Sequence, residues 1–137
     1  MEADRGRYNR LKAAVIDTNV FIYASINGVD ILEQLRDMGF VRILIPSSVL
    51  EELKKLAENL KGAEKRAAIF AIKTIDEKKL EVVDSKKSGD EALIEVAEKE
   101  KAVIITNDKE LKKTAINKKI PIGTLREGSR VVIFDYL

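Results

Sequence analysis

Neither cysteine nor histidine occurs anywhere in the 137 residues. The first absence excludes disulfides and thiolate metal sites. The second excludes an imidazole general base and an imidazole-bound zinc. No apolar run approaches the length that spans a bilayer, and no glycine-rich phosphate loop is present, so nucleotide-dependent schemes rank low. Residues 1–10 are polar and charged, without the apolar stretch of a secretion signal, so the cytoplasm is the expected location. Any catalysis must come from carboxylates, hydroxyls, lysines or a bound metal.

What the chain does have is enough apolar sequence, 45%, for one domain with a real core. Charged residues make up 35%, mostly lysine and glutamate, and glutamine occurs once. That balance matches the trend of thermophile proteins. A net charge of +2 names no partner by itself.

The stretch Ala13-Ala14-Val15-Ile16-Asp17-Thr18-Asn19 organises the chain. A short apolar run reads as a strand buried on both faces, as in a parallel sheet. It ends on an aspartate, and helical sequence follows. Residues 1–11 read as a flexible start and 12–137 as a single domain. Strands are expected over 12–16, 41–45, 80–83, 102–105 and 120–123, with a last one over Arg130–Phe134. The turn at 126–129 permits a hairpin between the final two. Helical spacing fills the intervals: to Ser25, over 30–38, from Val49 to Leu60, over 63–77, from Ser88 to about Lys101, and over Lys109–Asn117. Ser47 or Ser48 is placed to cap the helix after strand 2, and Ser88 with Glu91 has capping-box spacing. The 63–77 helix is apolar over a wide arc, which implies deep burial or a subunit interface. Strands alternating with helices predict right-handed βαβ units and a helix-covered, mainly parallel sheet.

In such a sheet ligands bind outside the carboxyl ends of the strands. Four acids fall there. Asp17 follows strand 1, Asp108 follows strand 4, Asp90 opens the helix after strand 3, and Glu51 or Glu52 lies early in the helix after strand 2. Helix geometry chooses between the glutamates. At about 100° per residue, Val49, Leu53, Leu56 and Leu60 form a buried stripe. Glu52 borders that stripe and Glu51 lies nearly opposite. Asp90 shares a face with Leu93, Ile94 and Ala97, where an unpaired aspartate is costly.

Each acid has a plainer role available. Asp17, Asp90 and Asp108 can favour helix N-termini, and Glu52 can be a solvated helix charge. Ser47, Thr106 and Asn107 suit caps and turns, and most lysines suit a solvated surface. Joint placement, one acid after each of four successive strands, lifts the set above these separate readings. Converging carboxylates repel one another, and a divalent ion relieves the repulsion. Oxygen donors alone suit hard ions, Mg²⁺ or Mn²⁺, which serve phosphodiester hydrolysis.

Val15-Ile16-Asp17-Thr18-Asn19, Pro46-Ser47-Ser48-Val49-Leu50-Glu51-Glu52-Leu53, Ser88-Gly89-Asp90 and Ile105-Thr106-Asn107-Asp108-Lys109-Glu110-Leu111 together resemble the PIN domain family. The resemblance runs through nearly the whole chain. It implies a three-layer α/β/α sandwich with a central, mainly parallel sheet of about five strands. It implies a Mg²⁺- or Mn²⁺-dependent endoribonuclease that cuts single-stranded RNA, often as a homodimer. Asp17, Asp90 and Asp108 would hold the metal, and Glu52 would complete the cluster or orient water. Thr18, Asn19, Thr106, Asn107 and Lys109 stand beside them as candidate substrate contacts. Single-domain toxin ribonucleases, with an antitoxin partner, and ribosomal RNA-processing enzymes, with a ribosome-assembly partner, are both compatible branches. A PIN-like module that binds RNA or protein without cutting is the alternative. A haloacid-type phosphatase wants a second aspartate where Asn19 stands, and a phosphoryl-transfer receiver wants paired acids after strand 1.

Overall fold

A computed structural model describes residues 13–134. The expected flexible segment over 1–11, Lys12 at the start of strand 1, and the end of the domain at 135–137 lie outside the described residues. The elements run β1 (Ala13–Ile16), α1 (Thr18–Ile26), α2 (Ile31–Asp37), β2 (Arg42–Pro46), α3 (Ser47–Asn59), α4 (Gly62–Glu77), β3 (Glu81–Val83), α5 (Gly89–Glu100), β4 (Val103–Ile105), α6 (Lys109–Asn117), β5 (Ile122–Arg126) and β6 (Arg130–Phe134).

The six strands form one sheet in the order β3-β2-β1-β4-β5-β6. All neighbours are parallel except the β5–β6 hairpin. The chain starts at β1, steps outward to β3, then returns to the other side of β1 with β4. Right-handed crossovers therefore place α5 and α6 on the face opposite α1, α2 and α4. α5 lies against β1, β2 and β4, while α3 packs on α4, β2 and α5. The result is the expected α/β/α sandwich, with the six strands that the sequence marks where the resemblance implied about five.

The central strands are apolar throughout because helices cover both faces. Val15, Ile16, Leu44, Ile45, Val103, Ile104 and Ile105 are completely buried. The sixth strand comes from the terminal hairpin. β5 begins two residues later than expected, at Ile122, and reaches Arg126, because its pairing with β6 runs from Ile122 opposite Phe134 to Arg126 opposite Arg130. The turn between them has positive φ at Glu127 and Gly128 (55° and 74°), the twist that matches a tight hairpin. A side chain on Gly128 would also run into the Tyr23 hydroxyl. The lone glutamine ties this hairpin to α2: Gln34 Nε2 donates to Ser129 O at 2.7 Å, and Val131 N donates to Gln34 Oε1 at 2.8 Å.

Two expected caps are absent. Ser88 is the N-cap of α5 but makes no side-chain cap bond. Gly89 takes φ +58°, outside the geometry a capping box needs. Pro46, not a serine, is the N-cap of α3, and Ser47 and Ser48 bond to Ser85 instead. α4 buries Ala67, Ala68, Ala71 and Ile75 but exposes Ile69 and Phe70, so only part of its apolar arc meets this chain's core.

Candidate active site at the carboxyl edge of the sheet

The chain reverses its direction of travel between β1 and β4, and in open α/β sheets ligands bind at the carboxyl ends of the strands at such a switch point. Ile16 pairs with Ile105, so Asp17 and Thr106 are the next residues out on adjoining strands. The Asp17 N–H donates to Ile105 O at 3.0 Å, carrying the ladder one step past β1.

Asp17 is 8% exposed, and both its oxygens are engaged. Oδ1 caps α1 by accepting from Asn19 N at 3.3 Å. Oδ2 accepts from Thr106 Oγ1 at 2.8 Å. Thr106 is fully buried, and its hydroxyl also accepts from the Asp108 N–H at 3.1 Å. One hydroxyl therefore joins the two aspartates. Asp108 Oδ1 caps α6, accepting from Glu110 N at 2.8 Å and Leu111 N at 3.1 Å. The plain capping role is thus real for Asp17 and Asp108. It orients each carboxylate without excluding further contacts, since a carboxylate offers several lone pairs.

Asp90 sits in the first turn of α5 and is exposed at the residue level. Its carboxyl is nonetheless partly desolvated, which raises its pKa above the usual range. Repulsion from Asp108, Asp17 and Glu52 raises it further. Asp17, Glu52 and Asp108 are thus in electrostatic reach of Asp90. Glu51, by contrast, faces Lys54 in a 3.4 Å ion pair and is absent from the charges acting on Asp90. Glu52 and Glu51 are both exposed. The helix-phase choice of Glu52 therefore shows in its reach toward Asp90, not in burial.

The neutral candidates separate. Thr18 is 3% exposed and has little surface to offer a substrate. Asn107 holds β5, its Oδ1 accepting from Leu125 N at 2.9 Å. Asn19 and Lys109 are exposed in the first turns of α1 and α6. Sequence reading missed Ser85 and Glu95, which hold the β3–α5 segment from either side. Neither had a local signal, because their partners are set by tertiary packing.

Among the described residues, no three acids are drawn closely enough to hold a metal ion as they stand. The donor set is oxygen only, and its defect is mutual repulsion at Asp90. Both features fit a hard divalent cation, which supplies the missing charge.

Fold and edge together define an α/β/α domain with acids at the carboxyl edge of its central strands. The chain belongs to the PIN family: the model described as PIN like domain matches residues 14–128. It is 50% identical over 133 residues to Ribonuclease VapC9 of Archaeoglobus fulgidus, covering 97% of each chain. It is 35% identical over 126 residues to Ribonuclease VapC4 of Methanocaldococcus jannaschii, covering 88% of this chain and 95% of that one. Its fold is similar to that of the PIN domain endonuclease Utp24, with TM-score 0.71 at 21% identity, covering 91% and 92% of the two chains.

Proposed function

We propose that this chain is a divalent-metal-dependent endoribonuclease that hydrolyses phosphodiester bonds of single-stranded RNA. The observation that carries the reading is the Thr106 hydroxyl that joins Asp17 to Asp108 at the switch point, with Asp17, Asp108 and Glu52 in electrostatic reach of Asp90. The ribonuclease names of two relatives matched over most of their length support it. Asp17, Asp90 and Asp108 would hold the ion, Mg²⁺ or Mn²⁺. The chemistry it would supply there is activation of water and stabilisation of charge on the phosphate.

The chain's own groups do the positioning. Thr106 and the α1 cap fix the plane of the Asp17 carboxylate. The α6 cap does the same for Asp108. Glu52, the acid in the group that follows β2, orients the attacking water. Asn19 and Lys109 at the rim contact the substrate backbone, Lys109 by charge.

The test is cleavage of a generic single-stranded RNA with Mn²⁺ and with chelator, for wild type and Asp17→Asn. Cleavage by the wild type with Mn²⁺ alone is the expected result. Equal cleavage in all four samples would sink the proposal. Tight Mn²⁺ binding without hydrolysis across many RNAs would favour a silent binding module.

Two finer statements belong to the same reading. A toxin-like ribonuclease governed by an antitoxin is the first, and the ribonuclease names of the two relatives are consistent with it. The exposed Ile69 and Phe70 on α4 suit a homodimer contact. A monomeric mass in solution at micromolar concentration would remove the second.

A further inference from the structure

The segment between β3 and α5 is fastened to the two helices that carry Glu52 and Asp90. On one side Ser85 meets the start of α3. Its N–H donates to Ser47 Oγ at 3.1 Å. Its hydroxyl oxygen accepts from the Ser48 N–H at 3.2 Å and lies 3.0 Å from Ser48 Oγ. α3 has no side-chain cap from its own N-cap residue, Pro46. Ser85 therefore supplies a cap from a neighbouring segment, satisfying an amide that the helix leaves unpaired. On the other side Glu95 of α5 grips the backbone. Both its carboxylate oxygens accept from the Lys86 N–H at 3.1 Å, and Oε1 accepts from the Lys87 N–H at 3.0 Å. These donors hold the Glu95 carboxyl below its usual pKa.

The fasteners sit close to the acids without being among them. Glu52 lies one helical turn beyond Ser48, and Asp90 lies three residues beyond Lys87. Glu52 and Asp90 repel one another. The first turn of α5 has no side-chain cap from Ser88 to anchor it. The segment over 84–88 thus links the second turn of α5, at Glu95, to the first turn of α3, beside the direct packing of the two helices.

We propose that residues 84–88 form a positioning strap, fastened by Ser85 and Glu95, that keeps the helix starts carrying Asp90 and Glu52 on one edge, where a divalent ion can draw the two acids together. Ser85 and Glu95 are positioning residues and touch neither ion nor substrate. The inference rests on the metal-dependent reading above.

The test is Mn²⁺ affinity by calorimetry on wild type, Ser85→Ala, Glu95→Ala, Ser85→Thr and Glu95→Gln. Groups that orient metal ligands typically cost 10- to 100-fold in affinity when lost. Ser85→Ala and Glu95→Ala are each expected to weaken Mn²⁺ by about tenfold. Ser85→Thr, which keeps the hydroxyl, and Glu95→Gln, which keeps one acceptor, recover part of the loss. For the alanine variants, RNA cleavage falls at low Mn²⁺ and recovers at high Mn²⁺, while KM for RNA is unchanged. Mn²⁺ affinity equal to wild type in both alanine variants overturns the strap and leaves the metal reading standing. A wild type that binds no Mn²⁺ overturns both.

Discussion

Thr106 donates its hydroxyl proton to Asp17 at 2.8 Å, joining residues 89 positions apart in the chain. The same oxygen accepts the Asp108 amide, so one buried side chain sets the relation between two acids of the site. Thr106→Val keeps the shape and removes both bonds. It leaves a nearly buried carboxylate oxygen and an amide without partners, which costs about 1–3 kcal/mol. Urea denaturation should show that loss, and Mn²⁺ affinity should fall with it. Thr106→Ser restores most of both. A valine variant as stable as wild type would refute the account.

Asp90 gives the site a pH dependence. Its folded pKa is raised, by partial burial first and by Asp108, Asp17 and Glu52 after that. A carboxyl raised on folding stabilises the fold only while protonated. That contribution is complete below the unfolded pKa and is lost as pH rises through the raised folded value. At neutral pH, without metal, Asp90 is therefore a net burden. Asp90→Asn should stabilise the metal-free protein at pH 7, by roughly 0.5 kcal/mol or less after solvent screening. The gain should shrink toward pH 3, and Mn²⁺ should stabilise wild type but not the variant. Thermal melts at the two pH values check the sign.

Gly123 lies between β4 and β6 with no room for a side chain. A Cβ there would come within 2.6 Å of Ile133 Cδ1 and 2.8 Å of Ile105 Cδ1. Gly123→Ala should destabilise by about 1–3 kcal/mol through overpacking. The lost stability should return in part with Ile133→Val, which removes the nearer methyl. Chemical denaturation of the single and double variants measures both.

Arg42 ties β2, β3 and α5 together at the opposite end of the sheet. Its guanidinium bonds Glu81 at 2.9 and 2.7 Å and Glu100 at 2.9 Å. The Arg42 hydrogen bond holds the Glu81 carboxyl below its usual pKa, against some desolvation. A carboxyl lowered on folding stabilises at pH values above its unfolded pKa and loses that contribution as pH falls through the folded one. The side chains of Arg42 and Glu81 are 41% and 46% exposed. Arg42→Met should therefore cost only about 1 kcal/mol at pH 7 and low salt. The cost should fall in high salt and at pH 3. A loss indifferent to both would assign Arg42 to packing instead.

The local grammar of the site was legible from sequence. Val15-Ile16 before Asp17, and Val103-Ile104-Ile105 before Thr106, mark buried strands that stop on polar residues. The phase of Val49, Leu53 and Leu56 separated Glu52 from Glu51, and only Glu52 acts on Asp90. The serines were harder to read. Ser47, Ser48 and Ser88 suited caps by spacing. A cap depends on backbone angles and on rival partners, and here Gly89 and Ser85 supplied them. Strand β5 was placed too early for a similar reason, since its limits follow the β6 partner and not its own composition.

Sequence alone determined the alternation of strand and helix, the burial of the central strands and the acid after each of four strands, because these follow from periodicity and from the residue that ends each run. Tertiary structure decided the strand order, and with it the neighbouring of β1 and β4 that sets Thr106 against Asp17. It also decided that Ser85 and Glu95 strap one segment to two helices. The Thr106–Asp17 and Ser85–Ser48 contacts join positions far apart along the chain, and their energy exists only after loop closure has brought the partners together.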